Sequence, residues 1–153
     1  RTRQEQYASM AEGAKRAGDL AAKADLTLIV EPLNAKKSHK GFFLTTCAEG
    51  LKLVKEVDNP HVRLLYDIFH EHMQTGDVFA TLTEALPYTC VFHVADAPER
   101  NDPGLGQIDY PKVYKTIAKG GYAGYIAMEY LPKDEQVASL IRSVDQMRAG
   151  LAA

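Results

Sequence analysis

Leu26-Thr27-Leu28-Ile29-Val30 is a short, largely apolar run that stops at Glu31-Pro32-Leu33-Asn34. It has the pattern of a strand buried on both faces, and the proline closes it. The same pattern recurs three times. Val62 to Tyr66 is an apolar strand ending at Asp67, Cys90 to Val94 is another, and Tyr125 to Met128 is a fourth, ending at Glu129. Helical signals separate them. From Gln4 to Ala22, Tyr7, Met10, Ala11, Ala14, Ala17, Leu20 and Ala21 recur at three- and four-residue spacing, which places them on one face of a helix. Further helices are predicted over Thr46 to Val57, closed by Asn59-Pro60, and over Asp77 to Leu86. Two more are predicted over Tyr110 to Lys119, ended by Gly120-Gly121, and over Asp134 to Ala149. The predicted order is αβαβαβαβα. Alternation of this kind implies an α/β fold with four parallel strands, either wound on both faces or closed as a barrel. No linker or low-complexity stretch interrupts it, so residues 1–153 are expected to form one domain.

A closed barrel of eight strand–helix units typically needs about 250 residues, whereas this chain has 153. A barrel reading therefore accounts for half the units. The chain opens on Arg1 and almost at once on a helix, which leads us to expect a fragment or a processed form. A formal net charge of -2 disfavours nucleic acid, since duplex binding rests on clustered cations that neutralise phosphates. Cys47 and Cys90 form no CxxC pair, so neither a disulfide framework nor a thiolate zinc site is expected. The apolar runs are strand-sized, far below the roughly 20 residues of a membrane span, and no signal peptide is read at the start. A cytoplasmic protein with no membrane partner is expected.

Each predicted strand delivers a potential metal ligand at or near its C-terminal end: Glu31, Asp67, His93 and Glu129. In barrels and open parallel sheets these ends converge on one face, where sites are built. Three carboxylates and one imidazole suit a divalent cation, Mn2+ or Mg2+ first, because oxygen donors dominate. Taken singly, an acid after a strand is more often a helix cap or a solvated loop charge, and His93 alone is more often a hydrogen-bonded core histidine. Four in register are hard to obtain by accident. His70 and His72 in Tyr66-Asp67-Ile68-Phe69-His70-Glu71-His72 read as polar loop residues, although the spacing of His70 from Asp67 favours a functional role. The segment from His93 to Tyr110 is too long for a simple turn. Within it, Gly104 and Gly106 are only a weak phosphate-cradle signal. Arg100 is either a substrate-binding guanidinium or half of an ion pair with Asp96 or Asp102.

These motifs, together with Val30-Glu31-Pro32-Leu33-Asn34, His93-Val94-Ala95-Asp96-Ala97-Pro98-Glu99-Arg100, Gly106-Gln107-Ile108-Asp109-Tyr110 and Gly121-Tyr122-Ala123-Gly124-Tyr125, resemble the hydroxypyruvate isomerase-like branch of the sugar isomerase/epimerase superfamily. That branch has a xylose isomerase-type TIM barrel. The resemblance implies that the chain is the C-terminal half of a (β/α)8 barrel, holding strands five to eight. It also implies that Glu31 and Glu129 are both metal ligands and the catalytic acid/base pair, that Asp67 and His93 complete the coordination, and that His70 and Arg100 bind substrate. A metal held against adjacent carbonyl and hydroxyl oxygens stabilises an enediolate, which makes a carboxylate a sufficient base. The expected reaction is isomerisation of a small hydroxy-carbonyl compound, hydroxypyruvate to tartronate semialdehyde first and ketose 3-epimerisation second. Arg100 would hold the substrate's carboxylate. An endonuclease of the related zinc barrels would want more histidine ligands and a basic groove. Four strands leave two open edges, so a third reading is a non-catalytic half-barrel fragment that associates through them, and the expected partner is a further copy of the chain or an N-terminal half-barrel.

Overall fold

The computed structural model describes residues 1–153. Helix α1 spans Arg3–Lys23 and is closed at its start by a capping box, in which Thr2 accepts from the Glu5 N–H and Glu5 reaches back to the Thr2 N–H. Strand β1 is Leu28–Val30 and helix α2 is Cys47–Val57, with Thr46 as its N-cap and Asp58 in the left-handed conformation at its end. Strand β2 is Val62–Asp67, and helix α3, Ile68–Thr75, follows it with no intervening loop. The short helix α4, Leu82–Ala85, runs into a 3-10 turn at Leu86–Tyr88 before strand β3, Thr89–Val94. Helix α5, Tyr110–Lys119, strand β4, Tyr125–Met128, and helix α6, Gln136–Leu151, complete the chain.

The four strands pair in parallel in the order β1-β2-β3-β4. Strictly sequential order has no reversal point, so of the two architectures left open by alternation alone, the structure takes the barrel-like one. Its register sets Asp67 beside His93. Alternate side chains Leu64, Tyr66, Phe92 and Val94 point into the layer of helices, where they meet Leu51, Val54, Val113, Tyr114 and Ile117 in the main core. A smaller cluster of Ala11, Leu53, Val57 and Val62 seats α1 against α2 and β2.

Three predicted elements differ. The first strand was expected over Leu26 to Val30 and buried on both faces, yet only Leu28–Val30 pairs and Ile29 is 49% exposed. As an edge strand, β1 has a neighbour on one side only. The helix predicted from Asp77 shrinks to one turn at Leu82–Ala85, because Asp77 spends its carboxylate on the Phe79 N–H in a turn and Pro87 tightens the exit. The stretch read as a polar loop around His70 and His72 is instead α3. Asp67 caps it, accepting the His70 N–H at 2.8 Å through Oδ1.

The loop before α4 is tied to the core by one phenol. The Tyr66 hydroxyl donates to the Val78 carbonyl at 2.9 Å and lies 3.0 Å from Thr81 Oγ1, and Tyr66 is fully buried. Tyr66→Phe is expected to lower stability by about 1–2 kcal/mol, the cost of a buried acceptor left unpaired. Urea denaturation should show a lower midpoint with an unchanged slope. No helix is long and apolar enough to cross a membrane.

Candidate metal centre

Glu31 stands one residue past β1, Asp67 ends β2, His93 is next to last in β3 and Glu129 is one residue past β4. Parallel pairing therefore brings all four to one end of the sheet. One ligand atom from each lies within 4.8 Å of the others. His93 Nδ1 is 2.8 Å from Glu129 Oε2 and 3.8 Å from both Glu31 Oε1 and Asp67 Oδ2. Donors bonded to one cation at about 2.0–2.5 Å sit roughly 3–5 Å apart, so the spacing fits. The His93 nitrogen gives a second test: Nδ1 is buried and has no properly directed hydrogen bond, despite its proximity to Glu129. A ring nitrogen set among three carboxylates occupies a position that a cation would satisfy.

The electrostatics show the same strain. Burial pushes Asp67 up to about 7, against the pull of Arg100 and of the His70 N–H. Glu31 is raised by burial and then by Glu129, with Arg100 opposing. Glu129 is also raised by burial, but His93 and Arg100 together outweigh this and hold it below the usual carboxylate range. Asp67 thus serves two purposes: Oδ1 caps α3 and Oδ2 faces the cluster.

Arg100, at a positive φ of 60° in the loop after β3, reaches into this centre. Its Nη2 donates to Asp67 Oδ2 at 3.0 Å and to Glu129, its Nε donates to the Glu129 carbonyl at 3.2 Å, and its Nη1 lies 2.9 Å from His70 Nε2. The ion-pair alternative with Asp96 or Asp102 is overturned. Asp96, 1% exposed, accepts from the backbone N–H groups of Ala97, Gly104, Gly106 and Ile108 at 2.7–3.0 Å. Asp102 binds Ser139, the Lys133 N–H and Arg142. The weak phosphate-cradle signal of Gly104 and Gly106 is explained in the same way, since their N–H groups hold the protein's own carboxylate. A Cβ on Gly106 would overlap the Ala97 carbonyl and Asp96 Oδ1, so glycine is required there.

His70 is buried on the first turn of α3, and its ring meets those of His39 and Phe69 edge-on. Burial, then Arg100 and His39, push its pKa down to about 4. His72 lies in the last turn of α3 and is not part of the cluster. Three contributors went unassigned in the sequence: Asn34, His39 and, as the organiser of the loop, Asp96. Asn34 was visible only as part of the strand-end motif. The largest concavity, about 470 Å3, is lined by Arg63, Pro87, Thr89, Tyr122 and Tyr125 near the opposite strand ends and holds none of the cluster.

Residues 1–149 match the family described as xylose isomerase-like TIM barrel. Hydroxypyruvate isomerase of Escherichia coli (strain K12) is 31% identical over 134 residues, covering 88% of this chain and 52% of that protein. A probable ketose 3-epimerase of Synechocystis sp. is 33% identical over 121 residues, covering 78% of this chain and 40% of the relative. Among solved structures, an AP endonuclease, family 2, from Brucella melitensis superposes with a TM-score of 0.85 at 26% identity, over 94% of this chain and 55% of that one. The chain spans about half the length of the relatives it matches. The resemblance carried by the motifs is borne out: the chain belongs to the xylose isomerase-like TIM barrel family.

Proposed function

We propose that this chain is the metal-holding half of an isomerase acting on a small hydroxy-carbonyl compound, with hydroxypyruvate to tartronate semialdehyde as the first reaction to test. The observation that carries this reading is the convergence of Glu31, Asp67, His93 and Glu129 within 4.8 Å. Mn2+ or Mg2+ fits the oxygen-rich set, and when bound it supplies Lewis-acid stabilisation of the enediolate. The chain's own residues do the rest. Glu31 comes from one edge strand and Glu129 follows the other, so the two carboxylates flank the centre from opposite sides. That placement suits proton removal by one and return by the other, or transfer between adjacent carbons by one of them. Arg100 and His70 are the groups positioned to hold substrate oxygens, and Arg100 suits a carboxylate.

The similarity to the Synechocystis protein supports ketose 3-epimerisation as a second reading, and it needs the same flanking pair. Deuterium from solvent would appear at C-3 of a ketose with inversion in that case, and at the former carbonyl carbon of hydroxypyruvate in the first. An endonuclease reading is not favoured, because three of the four donors are carboxylates and the net charge is -2.

Both edge strands pair on one side only, and Ile29 and Tyr125, 49% and 77% exposed, lie on those edges. Val137, Leu140 and Ile141 of α6 are exposed as well. The proposal therefore includes an assembly that closes the barrel, with a second copy or a separate first half-barrel as the partner. Solution mass measured together with Mn2+ titration by EPR tests this. One ion per chain, released by Asp67→Ala, is the expected result. A stable monomer that binds neither Mn2+ nor Mg2+ would overturn the proposal.

A further inference from the structure

The imidazole of His70 is enclosed by hydrogen-bond donors at both ring nitrogens. Nδ1 lies 2.6 Å from Asn34 Nδ2 and accepts from the Asn34 backbone N–H at 3.4 Å, while Nε2 lies 2.9 Å from Arg100 Nη1. A neutral imidazole has one lone pair and one N–H, so it can accept on only one side. The Asn34 side is locked. Asn34 is fully buried, and its Oδ1 accepts the N–H groups of Lys37 at 3.1 Å and Ser38 at 3.2 Å. Turning the amide over would set its NH2 against those two backbone donors, so Nδ2 must face His70. Arg100 is the freer partner, since its side chain is 24% exposed and already bonded to Asp67 and Glu129.

We infer that Asn34 sets the tautomer of His70, holding the ring neutral with its proton on Nε2, so that His70 is a hydrogen-bond donor to a substrate oxygen and not a base. Asn34 is thus a positioning residue that acts through His70. The Nε2–H has no acceptor within the chain: Asp67 Oδ2, at 3.8 Å, is beyond hydrogen-bonding reach. Nε2–H and Arg100 Nη1 are two donors 2.9 Å apart that cannot satisfy one another. Both are satisfied by a single acceptor between them, such as a carbonyl or carboxylate oxygen. The identity of that acceptor as substrate rests on the proposed function; the tautomer does not.

The test is long-range 1H–15N NMR on the chain labelled at histidine, with the His70 signals assigned by their loss in His70→Gln. The expected pattern is a pyridine-type Nδ1 and a pyrrole-type Nε2. Asn34→Asp should reverse it, because one carboxylate oxygen keeps the Lys37 and Ser38 donors while the other draws the proton to Nδ1. A protonated Nδ1 in the unaltered chain, or an unreversed pattern in Asn34→Asp, would overturn the inference. Adding Mg2+ and a saturating concentration of hydroxypyruvate should move the Nε2 proton downfield. Saturation without that shift would overturn the donor role. The tautomer is read without metal or substrate, so it stands or falls apart from the Mn2+ titration.

Discussion

Glu129→Gln is expected to lower the rate of substrate C–H exchange with solvent by about 10^3-fold in the metal-loaded assembly. A positioned general base contributes roughly 10^2- to 10^4-fold, and 10^3 corresponds to about 4 kcal/mol of barrier. The amide keeps the shape of the side chain, but it has neither the charge nor the basicity to accept the proton. It also replaces the carboxylate nearest His93, whose Nδ1 is 2.8 Å from Oε2, so metal affinity should weaken at the same time. Deuterium incorporation followed by NMR at saturating Mg2+ separates the two effects. If exchange is slow even with the site filled, Glu129 acts on the proton. If saturation restores the full rate, it is a ligand alone. Exchange equal to that of the unaltered protein at every metal concentration removes Glu129 from the mechanism.

The largest effect on stability is expected at a residue outside the four-residue cluster. Asp96→Ala should cost about 3–5 kcal/mol, because it strands four backbone donors that otherwise share one buried carboxylate. Each lost charge-assisted bond is worth more than a neutral one, and the enclosed loop leaves little room for water to replace them. Asp96→Asn should be nearly as damaging, since its NH2 would confront one of the two pairs of N–H groups. The loss should also reach the candidate metal centre. Asp96 and Asn101 pair across the loop through two backbone bonds, of 2.7 and 3.2 Å, and the Arg100 carbonyl accepts the Leu131 N–H at 2.8 Å. Loosening that frame releases the guanidinium from Asp67 and Glu129. Hydrogen exchange at Gly104, Gly106 and Ile108, read with the denaturation midpoint, checks both parts. A destabilisation below about 1 kcal/mol would show that the loop is held by something else.

The sequence shows the strands well because the signal is local. A short apolar run that stops at a charged residue needs no knowledge of its neighbours, and three of the four predicted strands lie within a residue of the observed ones. Helix α3 was hidden for a physical reason. Its N-cap is Asp67, whose Oδ1 accepts the His70 N–H while Oδ2 faces the cluster, and an acid at a strand end looks the same in sequence whether it caps a helix, faces a site or does both. The roles of Asn34 and His39 are not legible in sequence, and that of Asp96 is misread as a partner for Arg100, because an amide, an acid or an imidazole in a loop gains meaning only from the atoms it meets. His70 is 36 residues beyond Asn34.

The alternation of strands with helices, and the polar residue of metal-binding type at the end of each strand, are legible in the sequence. Periodicity and stop signals act within a few residues, so they survive in one dimension. The sequential order of the sheet, with Glu31 and Glu129 on opposite sides of the cluster, emerges only when the chain is packed. Packing likewise turns Arg100 to Asp67 and Glu129 and away from its sequence neighbours Asp96 and Asp102. Such choices depend on which donors and acceptors are left unpaired once the backbone has closed, and pairing across tens of residues is set by packing and desolvation.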